Sequence, residues 1–204
     1  MIREFLLWLQ NDLGKGAEDY SQSWSEALLG SLNFWGLLEG THLLALMLFA
    51  GTILFVDLRL LGVIFKQTPV SVVSKKILPL TITGLILILV TGALLFYAKP
   101  LFYYHNIWFR LKLVFLLAAM INIAIFHFRV QKGMGDWDSH TRLPRAARLS
   151  AILSITAWIL IITMGRFMAY NWFDCGKPMS GFLNAAQSCA SSEKGAVDEK
   201  GVRL

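Results

Sequence analysis

The sequence predicts an all-α integral membrane protein: a four-helix bundle preceded by an amphipathic helix lying in the bilayer interface. Three observations carry that prediction. Of 204 residues, 56% are hydrophobic and only 16% charged, and mean hydropathy is +0.57, whereas soluble domains carry about 25% charged residues. The apolar residues gather into four runs, about 36–64, 77–98, 106–130 and 147–170, each long enough to cross a bilayer, for which about 20 residues suffice. The basic residues between the runs concentrate in alternate loops, as they do in multi-pass proteins. Only helices or closed barrels satisfy the backbone in hydrocarbon, and these runs are too long for barrel strands. The chain therefore divides into an interfacial N-terminal segment (1–35), a four-span domain (36–172) and a C-terminal tail (173–204).

Residues 1–14, MIREFLLWLQNDLG, set Phe5, Leu6, Leu9 and Leu13 against Arg3, Gln10 and Asn11. The apolar run Phe5–Leu9 is too short for a signal-peptide core, and no small-residue cleavage site follows. Such a helix lies in the interface. A polar loop, Lys15 to Ser23, leads to a second amphipathic stretch with Trp24 and Trp35 as interfacial anchors. In the second run Pro79 is expected in the first turn, where a missing N–H costs little. Gly84, Gly92, Thr83 and Thr91 give that run small-residue faces for close packing. Pro144 opens the fourth run, and Tyr170 and Trp172 close it.

Lys66, Lys75 and Lys76 lie between runs one and two, and Lys132, Arg142 and Arg145 between three and four; the loop between two and three holds only Lys99. The positive-inside rule makes the two basic loops cytoplasmic. The expectation is an inner (cytoplasmic) membrane protein with both termini on the outer, periplasmic side. Cys175 and Cys189 then share an oxidising compartment, where a disulfide is expected; two free thiols are the alternative. From Ala190 onward small and charged residues predict disorder. The net charge of +6 is a topology signal and not a nucleic-acid footprint. The expected partners are the lipid bilayer and other membrane or periplasmic subunits. The chain carries no Gly-rich phosphate loop, Cys-pair metal motif or hydrolytic constellation.

The chemistry sits in two polar layers. Ionisable groups inside a span cost about 2.5–3.5 kcal/mol each on insertion scales and so seek partners. Glu39, His42, His105, Arg110, Lys112 and Arg166 fall in the outer layer. Glu39 and His42 share a helix face, and Arg166 is the natural partner of Glu39. Arg110 and Lys112 are about 200° apart, so one snorkels and Lys112 is expected to point inward. This net-positive layer suits an anionic group: a haem propionate, a lipid phosphate or a carboxylate. The blander reading makes His42 a buried histidine bonded to Glu39 or a carbonyl, places His105 at the surface and leaves Met164 and Met168 to packing. The inner layer holds Asp57, Arg59, Asn122 and His127. An ion pair or helix-end anchor is expected for the first two, and a cross-helix hydrogen bond for Asn122. His42 and His127 are separated by roughly 25 Å along the normal, too far to share a metal. His42 and His105 are in one leaflet and suit a single haem iron. Met164 and Met168 offer an axial Met or a soft His/Met site for copper(I).

The runs ExxHxxxLxxxxGxxxxxDLRLLG (Glu39 to Gly62), TGxLLFxA (Thr91 to Ala98), NxxFRxKLxxLxxAxxNxxxFH (Asn106 to His127) and GRFMAY (Gly165 to Tyr170) resemble an uncharacterised family of bacterial four-helix membrane proteins. More distantly, an early His, a Gly-containing span and a later Lys are similar to CopD-type copper-resistance membrane proteins and HemJ-type protoporphyrinogen oxidases. The latter resemblance implies a haem on His42, with Lys112 as the matching lysine. Three functions are open at this point. One is a redox-associated subunit binding haem b, with His42 and either His105 or Met168 as ligands and Lys112 and Arg166 on the propionates. Another is a copper or small-solute handling protein using His42, Met164 and Met168. The third is a cofactor-free accessory subunit of a larger complex.

Overall fold

A computed structural model describes residues 2–15, 23–130, 138, 143–170 and 180–187. Four long apolar helices correspond to the four runs: α3 (Leu32–Leu60), α4 (Val70–Ala98), α6 (Ile107–Ile125) and α7 (Arg145–Met168). One π-helical turn, Phe126–Val130, prolongs α6. Shorter helices are α1 (Ile2–Asn11), α2 (Trp24–Gly30), α5 (Pro100–His105) and α8 (Gly181–Gln187). Among the described residues there is no strand. All four long helices satisfy the length and hydropathy needed to cross a membrane.

The helix ends differ from those expected, and the reasons are local. α3 starts at Leu32 because the Ser31 hydroxyl accepts from the Phe34 N–H. It stops at Leu60, short of Ile64, because Gly62 takes a left-handed φ of 73°. The Gly62 N–H then bonds the Arg59 carbonyl, and the Val63 N–H bonds that of Leu58, a Schellman stop. Asp57 and Arg59 thus occupy the last turn. α4 begins at Val70, seven residues earlier than expected. Its N-cap, Pro69, has no side-chain acceptor to offer. Asp138 supplies one from the α6–α7 connection: its carboxylate accepts from the Ser71 N–H at 2.8 Å and from the Ser71 hydroxyl. Pro79 is consequently an interior residue, and the Lys75 carbonyl loses its helical partner there. Asp138→Ala is expected to lower stability by about 1 kcal/mol through loss of this cap, read as a lower unfolding midpoint in detergent.

The long helices pack in the order α4, α3, α7, α6, with α3 against both α4 and α7, and α6 against α7. α3 and α4 approach closely at Gly84, where an added Cβ would stand 2.9 Å from the Phe49 backbone nitrogen. At mid-bundle Phe49, Ala119, Trp158 and Ile161 form one core, with Phe49 and Trp158 edge to face at 5.2 Å. Leu60, Val70, Leu143, Ala147 and Ala151 form another at the end carrying Asp57. Between α6 and α7, the Asn122 side-chain N–H donates to the Ser150 carbonyl and the Ser150 hydroxyl donates to Asn122 Oδ1. Large apolar side chains such as Leu44, Met47, Leu89 and Leu117 are exposed on the outer faces, as a bilayer requires. Hydroxyls within the spans, including those of Thr81, Thr91 and Thr163, donate to carbonyls four residues back.

The end carrying His42 is covered by short helices. α1 packs on α5 and buries Leu6 while exposing Ile2, Phe5 and Trp8. The Ser23 hydroxyl donates to the Gln10 carbonyl, and the buried Ser25 hydroxyl donates to Ala98, the last residue of α4.

Candidate functional site

His42 lies about three turns into α3, facing α4 and half-buried. Its Nδ1 is 2.8 Å from Thr91 Oγ1, and a Cβ on Gly92 would lie 3.3 Å from its Cε1. Thr91 Oγ1 is also 2.6 Å from the Leu87 carbonyl oxygen. A carbonyl cannot donate, so the single hydroxyl proton of Thr91 points at Leu87. Thr91 Oγ1 must therefore accept from His42, which fixes the proton on Nδ1. In the neutral ring Nε2 is then an open lone pair. Imidazole ligands of metals are held this way, with the remote N–H fixed by a second group.

Lys112 comes to this histidine from α6, close enough for its charge to act on the ring. Its Nζ would be 3.7 Å from a Cβ placed on Gly165 of α7, so the absence of a side chain there leaves the ammonium room. The locus is thus built by all four spans: His42 from α3, Thr91 and Gly92 from α4, Lys112 from α6 and Gly165 from α7. Arg110 turns away. Its Nε donates to the Tyr104 carbonyl at 3.0 Å, and Nη1 donates to the Ala186 carbonyl of α8.

The other sequence-selected residues are placed around this locus. Glu39 and Arg166 are both exposed and do not pair with each other. Arg166 lies over the Tyr170 ring at 5.5 Å. The charge of Glu39 reaches Tyr103, whose phenol is raised above its ordinary value of 10.0 by burial and, second, by that carboxylate. His105 Nδ1 is 2.9 Å from the Gln187 carbonyl, so it donates there and its Nε2 is also an open lone pair in the neutral ring. With Arg110 it caps the last carbonyls of α8, a favourable place for basic groups. Met164 and Met168 are half-buried on α7. Cys175, Cys189 and Trp172 lie outside the described residues. Among the described residues, no three His, Cys, Asp or Glu side chains gather as a metal site.

At the opposite end, where an ion pair or a helix-end anchor was expected, Asp57 and Arg59 form no ion pair with each other, and both lie in the last turn of α3. Two positions apart on a helix, they point about 200° from each other. Asp57 faces Ser154 of α7, while Arg59 Nε donates to the Thr68 carbonyl at 2.7 Å. His127 is exposed. Sequence reasoning missed Thr91 as the partner of His42 and Gly165 as the neighbour of Lys112. The TG and GRF motifs were the signals available for both.

Residues 31–171 match the model of a family of unknown function, DUF6644, and the chain belongs to that family. No curated protein matches the chain, and no solved structure does. None of these comparisons supports a likeness to the CopD-type or HemJ-type groups.

Proposed function

We propose that this member of DUF6644 is a redox-associated membrane subunit that binds haem b at the His42–Lys112 locus. The observation that carries the reading is the hydrogen-bond chain from His42 Nδ1 through Thr91 to the Leu87 carbonyl, which leaves Nε2 as a fixed, open lone pair in a membrane bundle. That donor suits haem iron, as does a remote N–H held by a second group. Lys112 would meet one propionate, and Arg166, one residue from Gly165, would supply a cation for the other. His105 or Met168 would be the second protein ligand; His105 has the matching tautomer. Bound haem provides one-electron transfer. The residues of this chain hold the imidazole in orientation, neutralise the carboxylates and exclude water through the surrounding apolar side chains.

The loop charges support an inner-membrane location with both termini outside and the His42 end facing an external redox partner. A second reading, an accessory subunit docking on a larger complex, draws on the covering layer of short helices. Ile2, Phe5, Trp8 and Phe182 are exposed there. The copper reading would use His42, Met164 and Met168.

Absorption spectra of the full chain purified from membranes, oxidised and then reduced, distinguish the three. A Soret band with sharp reduced bands is expected. A colourless protein that retains copper through chelation would favour copper handling, and neither property would favour the accessory subunit.

A further inference from the structure

At the end of the bundle remote from His42, α4 is longer than hydrocarbon requires. Its apolar run begins at Ile77, directly after Lys75 and Lys76, but the helix itself begins at Val70. Its 29 residues extend about 43 Å at 1.5 Å each, against about 30 Å of hydrocarbon. The first two turns therefore stand at the level of the lipid headgroups, and Lys76 marks the border. Lys66, Lys75 and Lys76 are all exposed there.

A groove of about 280 Å³ lies at this border, lined by Phe65, Thr68, Val72, Val73, Lys76 and Ile77. One wall is α4, and the other is the segment joining it to α3. That second wall is tied in place. The Thr68 N–H donates to the Phe65 carbonyl at 2.9 Å, which closes a turn between the two lining residues. The Thr68 carbonyl accepts from Nε of the fully buried Arg59 at 2.7 Å, so the end of α3 anchors the wall. Phe65 has a φ of 49°; a bulky aromatic residue there is strained, and such strain persists where the surroundings enforce it. None of the six lining residues is acidic. Asp138, whose carboxylate reaches Ser71, is taken up by capping α4. Deeper along α4, Leu80 is exposed one turn beyond Ile77 and prolongs the apolar wall on the same side.

We infer that this groove holds an anionic phospholipid, with its phosphate on Lys76 and one acyl chain along Val72, Ile77 and Leu80. A cation at headgroup depth beside an apolar trough answers both halves of such a molecule. Charge draws in the headgroup, and burial of apolar surface holds the chain. A neutral lipid would use the trough without the charge, and a free anion would use the charge without the trough. This site goes beyond the haem reading and does not depend on it.

The test titrates the full chain in detergent with phosphatidylglycerol, or with phosphatidylcholine of the same acyl chains, and reads bound lipid by native mass spectrometry. Wild type is expected to retain one phosphatidylglycerol in preference to phosphatidylcholine. Lys76→Gln, at an exposed position, is expected to weaken that binding about fivefold, the effect of one basic residue near an anionic lipid surface. Val72→Trp, at a position 40% exposed, places an indole in the trough and is expected to expel the lipid. Arg148→Gln removes an exposed cation that does not line the groove, and it is expected to leave binding unchanged. Equal retention of the two lipids by wild type would overturn the site. So would binding unaltered by Lys76→Gln or by Val72→Trp, or weakened as much by Arg148→Gln as by Lys76→Gln, which would reduce the effect to diffuse attraction. A dimer mass that disappears in Val72→Trp would assign the groove to a second copy of the chain and overturn the lipid.

Discussion

His42→Ala is expected to abolish haem binding while leaving the bundle folded. The side chain is half-buried against Thr91 and Gly92 and is not part of the Phe49–Trp158 core, so its removal takes the proposed iron ligand and leaves that core intact. The variant should purify with the same elution profile and helical circular dichroism as wild type and without a Soret band. Thr91→Val keeps the shape of the wall and deletes the acceptor of the Nδ1–H bond. Loss of such a supporting group typically costs 10–100-fold in metal affinity, so this variant should hold haem weakly and regain it at high haem concentration. A His42→Ala protein with a full haem content would show that the ligand lies elsewhere.

Gly84→Ala is expected to destabilise the bundle by about 1–3 kcal/mol, the range for overpacking a close contact. The added carbon would stand 2.9 Å from the Phe49 nitrogen and 3.0 Å from its Cα. Both are backbone atoms of α3, so no side chain can swing aside, and α3 and α4 must separate. Separation also pulls Thr91, seven residues further along the same face of α4, away from His42. The variant should therefore lose unfolding midpoint and haem affinity together. At Gly51, where a Cβ would meet nothing within 4 Å, the same substitution should change neither. Equal midpoints for the two variants, measured by denaturant titration in detergent, would contradict the close-packing interpretation.

The existence and number of the spans could be read from the sequence because hydrocarbon leaves a chain few alternatives: a run of about 20 apolar residues forms a helix whatever it packs against. The ends were less readable because they are set by groups that hydropathy does not record. α3 ends where Gly62 adopts positive φ. α4 begins where Asp138, 67 residues later in the chain, reaches back to Ser71. Within the site, Lys112 could be separated from Arg110 by helical phase, since residues two apart cannot share a face. The partner of His42 could not be found in this way. Thr91 looked like a packing residue beside Gly92, and only the register of α4 against α3 brings its hydroxyl to Nδ1. The Glu39–Arg166 pair failed for a related reason. Opposite charges at one depth need not meet when an aromatic ring, here Tyr170, lies closer to the cation. Of the two readings for Asp57 and Arg59, an ion pair or a helix-end anchor, the ion pair fails because two positions on a helix place side chains on nearly opposite faces.

The tautomer of His42 decides which ring nitrogen can hold a ligand, and nitrogen NMR of histidine-labelled, cofactor-depleted protein reads it. The Thr91–Leu87 bond requires His42 to carry its proton on Nδ1 with a bare Nε2, and Thr91→Val should release the ring to the opposite tautomer. A wild-type His42 protonated on Nε2 would keep its lone pair on Nδ1, against Thr91, and the assignment of iron to Nε2 would fall with it.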